Sequence, residues 1–130
     1  MKKRKDSRTV LQAQAFVVRD TKGRIRAKLG IDAKDVVSLK LLDKKGQTRA
    51  HLYVAQDGTS SLALNDDVGK PRVGLSLQPD QPHVAPVTLV LNGSNKSGIL
   101  LFVSEYGPSL DFVGPGGKTL LELPKAMLKK

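Results

Sequence analysis

The feature that most constrains this chain is a 23-residue repeat. Three segments align without a gap: FVVRDTKGRIRAKLGI, LKLLDKKGQTRAHLYV and LALNDDVGKPRVGLSL. Their shared glycines are Gly23, Gly46 and Gly69. Each segment alternates apolar and polar residues on both sides of an Asp-x-x-Gly-x-x-Arg sequence. Alternation predicts β-strands, and Asp in the first with Gly in the fourth position is typical of a type I turn. Each segment is therefore predicted to be one β-hairpin.

The second hairpin shows what the alternation predicts for the side chains. If Asp43 to Gly46 form a four-residue loop, Leu41 pairs with Thr48 and Leu39 with Ala50. The residues expected on one, apolar face are Leu39, Leu41, Ala50, Leu52 and Val54. Those expected on the other face are Lys40, Arg49, His51 and Tyr53.

Two further units keep the apolar spacing without the Asp and Arg. The fourth, VTLVLNGSNKSGILLFV, has its turn at Asn92-Gly93, and the fifth, LDFVGPGGKTLLEL, aligns with the third at a spacing of 48 residues. Its GPGGKT resembles a phosphate-binding loop, but such a loop needs a glycine where Phe112 stands and a helix after the Lys-Thr pair. The alignment predicts a hairpin turn with extra glycine instead, and no bound nucleotide.

Five hairpins predict an all-β fold, an antiparallel meander of ten strands with one apolar face. That face must be covered, and ten strands closed as a round barrel would leave an interior too wide for Leu and Val to fill. We therefore expect a flattened barrel or a β-sandwich, in which the proline-marked segment 78–86 crosses between sheets. The alternative is an intertwined trimer of β-repeats, in which each chain covers its apolar face with two others.

The net charge of +10 is unevenly distributed along the chain. Residues 1–10 carry +4, residues 11–49 carry +6 and residues 125–130 carry +3, whereas residues 50–124 carry −3. We interpret residues 1–10 as a flexible basic arm, residues 11–124 as a single repeat domain and residues 125–130 as a basic tail.

The pattern LxLxDxxGxxRAxLxV, followed by an Asp-Gly turn, resembles tandem repeats of uncharacterised bacterial proteins, some of which have an N-terminal coiled coil or membrane anchor. The residues that carry the resemblance are Asp20, Gly23, Arg26, Ala27, Asp43, Gly46, Arg49, Ala50, Asp66, Gly69 and Arg72. The resemblance implies a β-hairpin repeat fold. It implies no activity and no site residue.

Catalytic and metal-binding groups are few. The chain has no cysteine, so it offers neither a thiol nucleophile nor a disulfide. Asp20, Asp43 and Asp66 are interpreted as turn residues, and His83 with Asp80 supplies too few ligands for a zinc site. His51, expected on the polar face, has no partner with which to act as a general base. We therefore expect no enzymatic activity, no metal and no cofactor.

The chain also lacks the sequence signs of membrane insertion. No stretch approaches about 18 unbroken apolar residues, and Gln12 and Gln14 interrupt what would be the apolar core of a signal peptide. These features predict a cytoplasmic protein without a membrane span.

The basic N-terminal half is the main functional lead. We expect a binding module that attaches non-specifically to an anionic polymer, with nucleic acid as the foremost candidate. The residues expected to contact that partner are Lys2, Lys3, Arg4, Lys5, Arg8, Arg24, Arg26, Lys28, Lys44, Lys45 and Arg49. The alternative is a structural module whose function is its own homo-oligomer, the basic tails only aiding solubility.

Overall fold

In the computed structural model, which describes residues 12–79 and 87–124, the chain forms a single antiparallel sheet. Its strands are β1 (Ala15–Arg19), β2 (Ile25–Ile31), β3 (Val37–Leu42), β4 (Thr48–Val54), β5 (Ser60–Asn65), β6 (Pro71–Leu77), β7 (Val87–Asn92), β8 (Gly98–Ser104), β9 (Gly107–Val113) and β10 (Thr119–Leu123). They lie side by side in chain order. The predicted all-β meander of ten strands is confirmed.

The sheet is open, because β1 and β10 are its two edge strands and do not pair with each other. Closure into a flattened barrel or sandwich is therefore not confirmed. The predicted crossing between sheets after β6 is wrong: β6 and β7 are direct neighbours, with Val73 opposite Leu91 and Leu77 opposite Val87. The segment that joins them reverses the chain within the one sheet, and residues 80–86 of it lie outside the described residues.

The repeat turns have one shared geometry, seen most simply between β3 and β4. The amide of Asp43 donates to the carbonyl of Gln47 at 2.9 Å, and the amide of Gly46 donates to the carbonyl of Asp43 at 3.0 Å. Gly46 has φ 83°, a conformation that side chains with a Cβ disfavour. The loop proper is therefore only three residues long, a type I turn closed by a left-handed glycine.

This geometry corrects the predicted register of the second hairpin. Leu41 lies opposite Ala50, and Leu39 lies opposite Leu52, two residues beyond the predicted partners. One residue of the difference comes from the shorter loop and one from a β-bulge next to Thr48, where the register shifts between Leu41 and Leu42. Beyond the bulge the total shift is two residues, so the paired side chains from Ala50 to Val54 stay on their predicted faces. Thr48 lies opposite Leu42 and not Leu41, because there the shift is only one residue.

The GPGGKT segment forms the same turn, as the repeat alignment predicts. The amide of Gly114 donates to the carbonyl of Lys118 at 2.8 Å, and the amide of Gly117, at φ 86°, donates to the carbonyl of Gly114 at 3.1 Å. In the third unit the corresponding bonds join Asp66 with Lys70 and Gly69 with Asp66. Strand β10 follows directly, so this glycine-rich loop leads into a strand.

Candidate functional site

One face of the sheet, the apolar face, consists of rows of aliphatic and aromatic side chains, interrupted by Ser60 in one row. The central row crosses all ten strands through Phe16, Leu29, Leu39, Leu52, Leu62, Leu75, Leu89, Leu101, Leu110 and Leu123. Leu52 is 49% exposed and Leu75 is 47% exposed, although both lie in the middle of the sheet. Among the described residues no hydrophobic side chain is buried. The apolar face thus lies uncovered in the single chain.

The opposite, polar face has rows of a different kind. One row joins Ser38, Tyr53, Ser61, Ser76 and Thr88 across five neighbouring strands. A parallel row changes sign across the sheet: it begins with Lys28 and Lys40 on β2 and β3, passes through His51 and the uncharged residues of β5 to β8, and ends with Asp111 and Glu122 on β9 and β10. The polar face is therefore positive toward the β1 edge and negative toward the β10 edge.

His51 lies beside Tyr53 on the polar face, with ring centroids 5.0 Å apart. Partial burial, with the nearby positive charge of Lys40, holds the pKa of His51 below its ordinary value. Its buried Nε2 atom has no hydrogen-bond partner among the described residues. This histidine is therefore neutral near pH 7, and no carboxylate in the described part of the chain orients it as a general base.

The turn aspartates satisfy backbone amides. One carboxylate oxygen of Asp66 accepts the N–H of Val68 at 3.0 Å and that of Lys70 at 2.9 Å. Asp43 accepts the amides of Lys45 and Gln47 in the same way. The turn interpretation of these carboxylates, made from their spacing, is confirmed. The Lys70 amide, with the guanidinium of Arg72, holds the pKa of Asp66 below its ordinary value despite some desolvation.

The repeated arginines occupy the β-bulges. In the first and third hairpins Arg26 and Arg72 are the residues skipped where the register shifts, as Arg49 is in the second. Arg72 binds the free carboxylate oxygen of Asp66 through two nitrogens, at 2.8 and 2.7 Å. The guanidinium is thus directed at the aspartate of its own turn.

Two of these arginines also donate hydrogen bonds to the backbone of the next hairpin. Arg26 Nε donates to the carbonyl of Leu42 at 2.9 Å, and Arg49 Nε donates to the carbonyl of Asn65 at 3.1 Å. Their ion pairs with Asp20 and Asp43 are longer, at 3.6 and 3.7 Å. The predicted contact residues Arg26 and Arg49 are therefore engaged within the sheet.

The other predicted contact residues are spread over the molecule. Arg24 is paired with Asp20 at 2.8 Å and reaches the carbonyl of Lys44 at 3.4 Å, which places it beside the exposed Lys44 and Lys45. Lys28 lies on β2, next to the β1 edge, opposite Lys40 of β3. The predicted residues outside the described ranges are Lys2, Lys3, Arg4, Lys5 and Arg8.

Lys40 belongs to the basic surface but was not among the residues predicted to bind. It lies directly opposite Lys28 on the neighbouring strand, and no ion pair within the described residues involves either lysine. The alternation alone placed Lys40 on the polar face. Its pairing with Lys28 depends on the register between successive hairpins, which no residue pattern within one hairpin reveals.

The described ranges contain no helix with the length and hydrophobicity needed to cross a bilayer. The same ranges hold no group of three or more His, Asp or Glu side chains positioned to share a metal ion. No protein-family model matches the chain, and no curated protein matches it.

Proposed function

We propose that this protein is a non-enzymatic structural module that assembles with further copies of itself through the apolar face. The observation that carries the proposal is the uncovered state of that face: its central row of apolar side chains is continuous over ten strands, and no described hydrophobic side chain is fully buried. Burying one such side chain is worth about 1.5–3 kcal/mol. A solitary sheet forgoes a large part of that stabilisation, because central leucines such as Leu52 and Leu75 stay about half exposed in it.

The dimensions of the face fit a protein–protein interface. Ten strands at a spacing of about 4.8 Å span roughly 43 Å, and strands of five to seven residues are about 17–24 Å long. The face therefore covers on the order of 900 Å², close to the roughly 800 Å² that each partner buries in a stable complex. Two sheets packed face to face would lie about 10 Å apart, their leucine rows forming the core.

A second copy is the partner that this surface fits best. The face is apolar from one edge strand to the other and repeats its row spacing along the sheet, so the rows of one copy can pack against those of another. A trimer with the three faces turned inward would bury the same rows. In the dimer and in the trimer alike, the apolar face is buried only when the copies are assembled.

The test compares two neighbouring residues of β5 that lie on opposite faces. Leu62→Asp places a charge in the central leucine row, whereas Ser61→Asp places the same charge on the polar face. Sedimentation velocity of the wild type should give a multiple of the 14.0 kDa chain mass. We expect Ser61→Asp to keep that mass and Leu62→Asp to dissociate or aggregate, because a buried unpaired carboxylate is costly.

A monomeric wild type would overturn the proposal. It would mean that the chain covers its own apolar face, as in the flattened barrel or sandwich.

Attachment to an anionic polymer such as nucleic acid is the second candidate function, favoured by the basic part of the polar face. Lys28 and Lys40 are adjacent there, and Lys44 with Lys45 forms an exposed pair at a nearby turn. Such a surface supplies phosphate contacts without sequence specificity, and each contact makes the affinity fall with salt.

The test is the fluorescence anisotropy of a labelled DNA duplex at several salt concentrations. Lys44→Gln/Lys45→Gln should flatten the log–log salt slope by about 1–2, since each lost phosphate contact removes about 0.9. Lys96→Gln/Lys118→Gln removes the same charge from the C-terminal half and is the matched control. Deleting residues 1–10 should weaken binding further. Equal effects of the two double variants, or no binding at low salt, would refute attachment through the N-terminal half.

A further inference from the structure

The two edge strands of the open sheet are complementary to each other. Every residue of β1 and of β10 is exposed, and an edge strand presents unpaired amide and carbonyl groups on its outer side. We propose that β10 of one copy pairs with β1 of a second copy, which continues the meander from chain to chain. This inference rests on the proposed self-assembly and adds a second, separate surface to it.

The strand count makes this pairing antiparallel. In a meander each strand reverses the direction of the one before, so in a sheet of ten strands β10 runs opposite to β1. A second copy placed beside the first in the same orientation therefore sets its β1 antiparallel to β10. The contact is heterologous, because one edge meets the other edge, and repetition adds further copies edge to edge.

The alternation of hydrogen-bonded and non-hydrogen-bonded residue pairs across the sheet also allows β10 to pair with β1 of a second copy. Along a row of an antiparallel sheet, pairs with direct hydrogen bonds alternate with pairs that lack them. The pairs Phe16–Leu29 and Leu110–Leu123 are the first and ninth pairs of the central row, so they are of the same type. A Leu123–Phe16 contact between copies would be the tenth pair and would have the other type, as the alternation requires.

This register keeps both faces continuous between the copies. With Leu123 opposite Phe16 of the next copy, Glu122 lies opposite Val17 and Leu121 lies opposite Val18. The apolar face then continues without interruption, since Phe16 and Val18 belong to it as Leu121 and Leu123 do. A one-residue slip would place Glu122 in the apolar face and is excluded on that ground.

The charges of the polar face favour the same contact. Asp111 and Glu122 are cross-strand neighbours at the β10 edge, and Lys28 and Lys40 are cross-strand neighbours close to the β1 edge. In the paired copies Glu122 and Lys28 lie two strands apart, roughly 10 Å between Cα atoms, a gap that their long side chains can bridge. Within one chain these groups lie at opposite sides of the sheet.

The register can be tested by disulfide formation, because the chain has no cysteine. Val17→Cys and Glu122→Cys are made in separate full-length chains, and the two purified proteins are mixed and oxidised with diamide. We expect a cross-linked heterodimer in good yield, because directly opposite residues have the Cα separation that a disulfide needs. Val18→Cys mixed with Glu122→Cys is the matched control, since these side chains are on opposite faces.

The double variant Val17→Cys/Glu122→Cys should form a ladder of linked chains on a non-reducing gel. A disulfide confined to one chain, with no heterodimer in the mixture, would overturn the inference and indicate a closed sheet. Equal yields from Val17→Cys and Val18→Cys would overturn the register. If no cross-link forms while sedimentation still shows an oligomer, the edge contact is wrong and assembly through the apolar face stands.

Discussion

At the residue scale, the repeat depends on an aspartate that serves two partners. One oxygen of Asp66 accepts the turn amides, and the other binds Arg72. In the fifth unit the same two positions are uncharged: Gly114 stands where the other units have aspartate, and Leu120 stands where they have arginine. The Leu120 side chain lies over Gly114, since a Cβ on Gly114 would be 3.0 Å from it. The contact between this glycine and this leucine replaces the ion pair of the other units, so both members of the aspartate–arginine pair are replaced in the same unit.

The charge of Asp66 should make stability depend on pH in a defined direction. Its pKa is lower in the folded chain than in the unfolded chain, so its stabilising effect is complete above the unfolded pKa and is lost as the pH falls through the folded pKa. Asp66→Asn keeps an acceptor oxygen for the turn but removes the charge that faces Arg72. We expect the variant to melt below the wild type at pH 7, and the difference to shrink between about pH 5 and pH 2.

Thermal melts followed by circular dichroism across that pH range would measure the difference. Asp67→Asn is the matched control, because Asp67 lies in the same turn and accepts no hydrogen bond from another described residue. If the difference in melting temperature between Asp66→Asn and the wild type stays constant down to pH 2, the charge of Asp66 contributes nothing to the stability of the folded chain.

At the element scale, the sequence predicts the strands and their faces well but not their register. Apolar alternation and the Asp-x-x-Gly spacing locate five hairpins and assign Leu39 and Lys40 to opposite faces. Neither pattern distinguishes a four-residue loop from a three-residue loop followed by a bulge, because both leave the alternation intact. Leu41 consequently lies opposite Ala50 and not Thr48.

The same limit explains which parts of the candidate site could be predicted. The turn carboxylates and the GPGGKT turn follow from local spacing, and both are confirmed. The Arg26 contact with the Leu42 carbonyl joins successive hairpins, as does the pairing of Lys28 with Lys40. Such contacts depend on how one hairpin aligns with the next, which a 23-residue pattern does not specify.

At the scale of the whole molecule, the uncovered apolar face should couple folding to association. In the single chain the described hydrophobic side chains of the ten-stranded sheet are only partly buried, so the main source of folding free energy is incomplete. If the oligomer supplies that burial, the melting temperature must depend on protein concentration, because only the folded state associates.

For a dimer, each tenfold increase in concentration adds about 1.4 kcal/mol to the unfolding free energy. We expect the melting temperature to rise by roughly 3–6 °C per tenfold step, given about 2–4 °C per kcal/mol for a folded unit of this size. Differential scanning calorimetry from low to high micromolar concentration would measure the rise. Ser61→Asp should reproduce the wild-type rise, because its charge lies on the polar face. A melting temperature that stays constant over a hundredfold range would show that each chain covers its apolar face alone, which excludes assembly as the source of stability.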